Sequence, residues 1–172
     1  MPSSDVYRLG YQWRIQGPIG TVFYYVSDAR TFLDWFPIFK AVRVDDPVGP
    51  LHVGSHCSAQ VRAALPYLLD WDITVVGYEP PRCIETDVQL ALNGRFRMRG
   101  FVRYRFEQLP GNVVLVINEQ ELIAERPLPR LLHPLAQAAF SFNHDWAMGQ
   151  AQTPLQAIVR HGPLRRTAEA PA

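Results

Sequence analysis

The sequence predicts one α+β domain in which a curved antiparallel sheet of about seven strands wraps around a long C-terminal helix. Three observations predict it: an alternating strand at the start, a run of strands joined by short turns, and a long alanine-rich segment at the end. A chain of 172 residues, 48% hydrophobic and 19% charged, suits one globular domain. We assign residues 1–161 to it and expect a disordered tail over 162–172.

The first part of the chain predicts one strand followed by two short helices. Apolar and polar residues alternate over 7–16, which predicts a strand with one solvated face. Apolar residues then recur at helical spacing over 19–26, which predicts a short amphipathic helix. A second short helix follows, because Thr31 and Asp34 have the spacing of a capping box and Pro37 would end the segment.

The middle of the chain reads as a meander of further strands over 41–44, 55–63, 67–79, 83–92, 95–107 and 113–123. Asn93-Gly94 and Pro110-Gly111-Asn112 are turn sequences between long strands, which predicts antiparallel neighbours. Charged positions are expected to face outward. The inward positions are then Trp71, Ile73, Val75, Ile84, Val88, Leu90, Phe96, Met98, Val102 and Tyr104.

The segment over 135–159 predicts the long terminal helix, with a kink or break near Gln150–Pro154, because proline removes a hydrogen bond and crowds the preceding turn. His144 shares one helical face with Phe140, Ala147 and Ala151. The neighbouring Asp145 is turned by about 100° around the helix, so we do not expect the two to form a facing pair.

Two segments early in the chain carry a characteristic order of apolar residues: Pro18-Ile19-Gly20-Thr21-Val22-Phe23-Tyr24-Tyr25-Val26-Ser27-Asp28 and Trp35-Phe36-Pro37. They resemble the opening of the START-like, polyketide cyclase/dehydrase superfamily, which includes birch-pollen-allergen-like proteins. The Asn112-Val113-Val114 strand and the helical Asn143-His144-Asp145-Trp146 also resemble bacterial members. The resemblance covers about residues 6–160 and implies a helix-grip fold.

The resemblance also implies a deep apolar cavity between sheet and helix that holds lipids, quinones, polyketides, steroids or plant hormones. The superfamily has no shared catalytic motif, so no catalytic residue is implied. Our first functional hypothesis is a carrier or chaperone for a lipid, quinone or polyketide-like molecule. The candidate ligand-binding residues are Trp35, Phe36, Trp71, Ile73, Val88, Phe96, Met98, Tyr104, Asn118, Phe140, Asn143 and His144.

The alternative hypothesis is a cyclase/dehydratase-type enzyme that uses the same cavity with His144 as acid or base. A histidine on an apolar helical face can instead orient a ligand carbonyl, or be a core residue bonded to a neighbouring strand. A protein-interaction module with a solidly packed interior is a third, less favoured class. Few polar residues accompany the apolar wall, which favours binding over proton transfer.

Nucleic acid is not an expected partner, because the formal net charge is only +1. Arg95, Arg97, Arg99, Arg103 and Arg105 share one strand face, where Glu85, Asp87, Glu119 and Glu121 of the flanking strands can pair with them. We expect an apolar small molecule as the partner. Transient membrane contact and a homodimer stay open.

No metal or cofactor is expected either. His52 and His56 are separated by a turn and lack an evident third ligand, while Cys57 and Cys83 have no metal-type spacing. The two cysteines read as thiols of a reducing compartment. No apolar stretch reaches the ~20 residues of a membrane span and no signal segment is evident, so a cytoplasmic location without stable membrane insertion is expected.

Overall fold

The computed structural model describes residues 6–64, 68–92, 96–126 and 132–162. In chain order the elements are β1 (Val6–Gln16), α1 (Ile19–Ser27), a 3₁₀ turn (Ala29–Thr31), α2 (Phe32–Trp35), β2 (Phe39–Val44), β3 (His56–Arg62), β4 (Leu68–Glu79), β5 (Cys83–Leu92), β6 (Phe96–Leu109), β7 (Val113–Ala124) and α3 (His133–His161). The predicted α+β class and element order are confirmed. The predicted tail lies almost entirely outside the described residues.

All seven strands form one antiparallel sheet in the order β1-β7-β6-β5-β4-β3-β2. From β2 to β7 the chain meanders between neighbours, as predicted. β1 instead pairs with the last strand, from Val6 opposite Ile123 to Gln16 opposite Val113. β1 and β2 therefore lie at opposite edges, and α1, the 3₁₀ turn and α2 carry the chain from one edge to the other.

The turn between β6 and β7 has the conformation that its sequence predicts. Gly111 and Asn112 have φ angles of 78° and 59°, in the left-handed region that glycine and asparagine tolerate best. The strands on either side remain in register, with Leu109 opposite Val113. The predicted turn at Asn93-Gly94 lies outside the described residues.

The corner between α1 and α2 is held differently from the prediction, and the capping box is wrong. The Thr31 hydroxyl donates to the carbonyls of Tyr25 and Asp28, both at 2.8 Å, and does not cap α2. The Asp28 carboxylate accepts from the backbone N–H of Arg30 at 3.0 Å. The Trp35 indole N–H also donates to the Tyr25 carbonyl, at 3.1 Å. These bonds fold the end of α1 back onto α2 and bury Trp35.

Among the strands, α3 packs most extensively on β1. The Trp13 indole N–H donates to the Met148 carbonyl at 2.9 Å, inside the core. At the end of β1, Gln16 and Gln156 exchange two hydrogen bonds of 2.8 and 2.9 Å between the Gln16 backbone and the Gln156 amide. Leu155 is fully buried in the same region. The helix is thus fastened to one edge of the sheet.

The break predicted near Pro154 is wrong, because α3 is assigned as one continuous helix from His133 to His161. The carbonyl deprived of its N–H partner belongs to Gln150, an exposed residue whose carbonyl water can satisfy. Ala151 and Leu155, both fully buried, hold the chain on the two sides of the proline against the same core. Neither α3 nor any other helix in the described ranges has the length and hydropathy of a membrane span.

The arginines of β6 lie on the outer face of the sheet, as predicted. Arg103 contacts Glu85 on β5 and Glu119 on β7, and Arg105 contacts Glu119 at 3.0 Å. Exposed pairs of this kind contribute about 0–1 kcal/mol each. Arg95 lies outside the described residues. That this face has no nucleic-acid partner stays a prediction.

Gly100 provides a test of how closely β6 and β7 approach. A Cβ atom built on Gly100 would collide with the backbone carbonyl of Glu121 on β7. Because two strands would have to separate, Gly100→Ala should lower the free energy of unfolding by about 2–4 kcal/mol in urea denaturation.

Gly20→Ala is the matched control, since nothing lies within 4 Å of a Cβ there. It lies in α1 and should stabilise by ~0.5–1 kcal/mol. Equal stabilities of Gly100→Ala and the unmodified chain would contradict the close approach.

Candidate functional site

A cavity of about 390 Å³ lies between α3 and the concave face of the sheet. Its volume falls within the ~300–1,000 Å³ typical of small-molecule sites. Every residue that strand alternation assigned to the inner face of β4, β5 and β6 contributes to its wall. The cavity exists because α3 is docked on β1 and stands away from the middle of the sheet.

Strand register explains why so many apolar side chains share this wall. Ile73 on β4 lies opposite Val88 on β5, and Leu90 on β5 lies opposite Met98 on β6. Directly opposed residues project from the same face of an antiparallel sheet. A register shift after Val75 marks a bulge in β4, and bulges bend and twist the strand that carries them. The wall is therefore continuous and concave.

The candidate ligand-binding residues lie at this cavity with one exception. Those on the wall are Trp35, Phe36, Trp71, Ile73, Val88, Phe96, Met98, Tyr104, Phe140, Asn143 and His144. The expectation that Asn118 lies on the wall is corrected. Asn118 is 1% exposed and lies behind the lining residues, where two neighbouring polar side chains contact its amide oxygen. That the wall residues bind a ligand stays a prediction.

A polar cluster occupies the part of the wall where β6 and β7 face α3. The Asn118 Oδ1 atom accepts from Gln120 Nε2 at 3.2 Å and from His144 Nε2 at 3.0 Å. Tyr104 on β6 lies directly opposite Asn118 in the strand register. Gln120 also lines the cavity and is 5% exposed, as expected from its place among the few polar residues assigned to the interior.

Both ring nitrogens of His144 point at protein atoms. Nε2 lies 3.0 Å from the amide oxygen of Asn118, to which the Nε2–H tautomer donates. Nδ1 lies 3.4 Å from Asp145 Oδ1, closer than the expected position of Asp145 around the helix implied. Burial lowers the pKa of His144 below its usual 6.5, and Asp145 opposes that shift only in part. The ring is therefore neutral, and neither ring nitrogen is directed at a ligand.

Two aromatic side chains bring polar atoms to the wall. Burial raises the pKa of Tyr104, and no hydrogen bond contributes to the shift. The Tyr104 ring stacks on Trp13, with ring centres 6.1 Å apart. The Trp71 indole N–H is buried and has no hydrogen-bond partner within the described part of the chain. The phenol stays protonated at neutral pH, so it can donate to a ligand.

Asn143 has a structural contact besides its place on the wall. Its Oδ1 atom accepts from the backbone N–H of Ala64 at 2.8 Å. This bond ties the chain leaving β3 to the middle of α3. The amide oxygen of Asn143 is therefore not available to a ligand while that contact holds.

The outer end of the cavity is bordered by charged residues that sequence reasoning did not identify. Arg30 forms a two-point pair with Asp28, with Nε–Oδ1 and Nη2–Oδ2 distances of 2.8 and 2.6 Å. Its Nη1 atom also donates to the carbonyls of Pro47 and Gly49 at 3.1 and 2.9 Å. The hydrogen bond to Asp28 raises the pKa of Arg30. The pair fastens the loop between β2 and β3 at the mouth.

His52 in that loop and His56 at the start of β3 do not converge on a shared point. His56 Nδ1 lies 2.9 Å from Asp45 Oδ2, whereas His52 Nδ1 lies 2.8 Å from the Pro50 carbonyl. Among the described residues, no group of three or more His, Cys, Asp or Glu side chains could hold a metal ion. Cys57 lines the cavity, and burial raises its pKa to about 12, so its thiol is not ionised at neutral pH.

Comparisons with known proteins identify the fold. No family model and no curated protein matches the sequence. Among solved structures, the chain is similar to the Zhui aromatase/cyclase from Streptomyces sp. R1128, with a TM-score of 0.69 and 11% identity over 90% of this chain and 94% of that one. A START superfamily protein from Mycobacterium smegmatis matches with a TM-score of 0.64 and 13% identity over 90% and 97%.

A protein of unknown function from Staphylococcus aureus also matches, with a TM-score of 0.67 and 7% identity over 92% of this chain and 96% of that one. At such identities the likeness concerns the fold alone. The chain therefore has the START-like, polyketide-cyclase fold that the sequence resemblance implied.

The buried state of His144 predicts how stability depends on pH. In the unfolded chain His144 takes up a proton near the usual pKa of 6.5, whereas the buried ring of the folded chain resists protonation. The free energy of unfolding should therefore fall as the pH drops below 6.5, and it should level off below the pKa of the folded state. His144→Phe removes this pH dependence. It should also lower the free energy of unfolding by about 1–3 kcal/mol at neutral pH, because Asn118 loses its hydrogen bond to His144.

The test is urea denaturation of both proteins between about pH 8 and pH 5. The stability gap between them should narrow as pH falls, whereas above about pH 7.5 it should stay constant, which is the internal control. A gap that widens on acidification would mean that the folded state favours the protonated ring.

Proposed function

We propose that this chain binds an apolar small molecule, of the lipid, quinone or polyketide-like kind, between the sheet and α3, and acts as its carrier or chaperone. The observation that supports the proposal is the cavity of about 390 Å³ with an aromatic and aliphatic wall. A ligand that buries ~300 Å² of apolar surface there gains roughly 7 kcal/mol before the cost of association.

The volume of the cavity and its apolar wall favour a ligand. Side chains around a void lose the contacts that a close-packed interior would supply, and such cavities lower stability. A molecule that fills the space restores those contacts and stabilises the folded chain by mass action. The wall offers aromatic rings on several sides, including Trp35, Phe36 and Phe140. A flat or ring-containing ligand would pack well among them.

The alternative, an enzyme with His144 as acid or base, has weaker support. A general base must have a ring nitrogen within hydrogen-bond reach of the substrate. Nε2 of His144 is bound to Asn118, and Nδ1 faces Asp145, which projects to solvent. Substrate would have to displace one of these contacts. The likeness to an aromatase/cyclase concerns the fold, so it does not favour catalysis here.

Native mass spectrometry of the purified chain tests the proposal directly. We expect an additional mass of a few hundred daltons that is lost when the chain is denatured, because an apolar ligand largely buried in the cavity should survive purification. The same sample after organic extraction is the control. A chain that carries no additional mass and takes up no apolar probe would contradict the proposal.

Filling the cavity should weaken binding without disrupting the fold. Val88 lines the wall and is 2% exposed, so Val88→Phe places a ring in the ligand's space. We expect it to weaken binding of the fluorescent probe N-phenyl-1-naphthylamine by about tenfold or more, which is ~1.4 kcal/mol. Val76→Phe is the matched control, since Val76 is 43% exposed and lies off the cavity. Unchanged probe affinity in Val88→Phe would place the probe elsewhere.

A further inference from the structure

Among the described residues, several uncharged polar groups in and behind the cavity wall lack a hydrogen-bond partner. Within the described residues, Asn118 Nδ2 and Trp71 Nε1 are buried donors without an acceptor. The Tyr104 hydroxyl makes no hydrogen bond that affects its titration. Gln120 donates to Asn118 through its Nε2 group, which leaves the carbonyl oxygen of Gln120 to accept a hydrogen bond from a ligand. Unpaired buried polar groups are rare in folded proteins, so each needs a physical account.

Three of these groups lie together. Tyr104 is directly opposite Asn118 across the β6–β7 ladder, and Gln120 follows two residues later on the same face. Opposed side chains on one face have Cβ atoms ~5 Å apart, close enough to contact a single ligand group. The Tyr104 ring is further fixed by stacking on Trp13. A hydroxyl and one amide are thus held at one part of the wall, with the Asn118 amide behind them.

The cationic side chains among the described lining residues are at the rim. Arg30 is engaged in its pair with Asp28, and Arg62 is an exposed residue at the end of β3. Asp45 and Asp46 border the same end of the cavity. His144, beside the polar cluster, donates to Asn118 and is neutral. An anionic ligand group placed at the cluster would lose its hydration without a cation to replace it, which is costly.

We propose that Tyr104 and Gln120 on the wall, with Asn118 directly behind them, form a neutral recognition patch that selects ligands bearing an uncharged oxygen acceptor, such as a ketone, and discriminates against carboxylates. Tyr104 supplies the donor that faces the ligand, and Asn118 and Gln120 position it and complete the polar surface. The inference rests on the proposed function, since it assigns the polar group of a ligand held in the same cavity.

Three naphthalenes of matched shape test the patch: 2-acetylnaphthalene, 2-isopropylnaphthalene and 2-naphthoate. Each is titrated at about pH 8, where the acid is ionised, and its affinity is read from displacement of N-phenyl-1-naphthylamine. We expect the ketone to bind about tenfold or more tightly than the carboxylate and several-fold more tightly than the isopropyl compound.

Tyr104→Phe removes only the hydroxyl. It should remove most of the several-fold preference for the ketone over the isopropyl compound and leave the affinity of the isopropyl compound nearly unchanged. Tyr24→Phe is the matched control, because Tyr24 is 52% exposed on α1. Melting temperatures of both variants show whether the fold is kept, and the comparison of ketone with carboxylate in the unmodified chain needs no variant.

The outcomes separate the two proposals. If the probe itself does not bind, the proposed function fails and the patch with it. Three results would overturn the patch while ligand binding stands, provided that the probe binds. In the first, the carboxylate competes with the probe as well as the ketone does, and in the second, no naphthalene displaces the probe. In the third, Tyr104→Phe keeps the full preference for the ketone. A ketone preference that depends on the Tyr104 hydroxyl supports both.

Discussion

The packing of α3 along β1 is the contact on which the cavity depends. The hydrogen bond from Trp13 to the Met148 carbonyl and the exchange between Gln16 and Gln156 fix the helix to one edge of the sheet. Because β1 is an edge strand paired with β7, the helix lies along that edge of the sheet and packs little on β4 and β5. A helix centred on the sheet would fill the space that the edge position leaves open.

The shape of the sheet completes the enclosure. Alternation places apolar side chains on the concave face and the charged pairs of β5, β6 and β7 on the convex face, so one sequence pattern separates the two environments. Close approach of β6 and β7 at Gly100 and the bulge after Val75 are local features that accompany the curvature. α1 and α2 cover the end of the concave face, where Trp35 packs on Trp13 at 6.2 Å.

The polar cluster shows how a mostly apolar interior contains hydrogen-bonding groups without charge. Asn118 accepts two hydrogen bonds through one oxygen, and its Nδ2 group has no acceptor within the part of the chain that the structure describes. Burial keeps His144 neutral, Tyr104 protonated and Cys57 in the thiol form. In a low-dielectric interior the neutral form of each group has a lower free energy than the charged form. Such a site suits orienting a ligand through hydrogen bonds better than transferring protons to it.

The sequence by itself determined the order of elements, the turn at Gly111-Asn112 and the inward set of β4, β5 and β6, because alternation and turn chemistry are local properties. It did not determine that Asn118 lies behind the wall, that Arg30 reaches the carbonyls of Pro47 and Gly49, or that α3 passes Pro154 without a break. Each of these depends on partners distant in sequence. Only the tertiary structure decides which distant groups meet, because hydrogen bonds and close packing require a particular placement of whole elements.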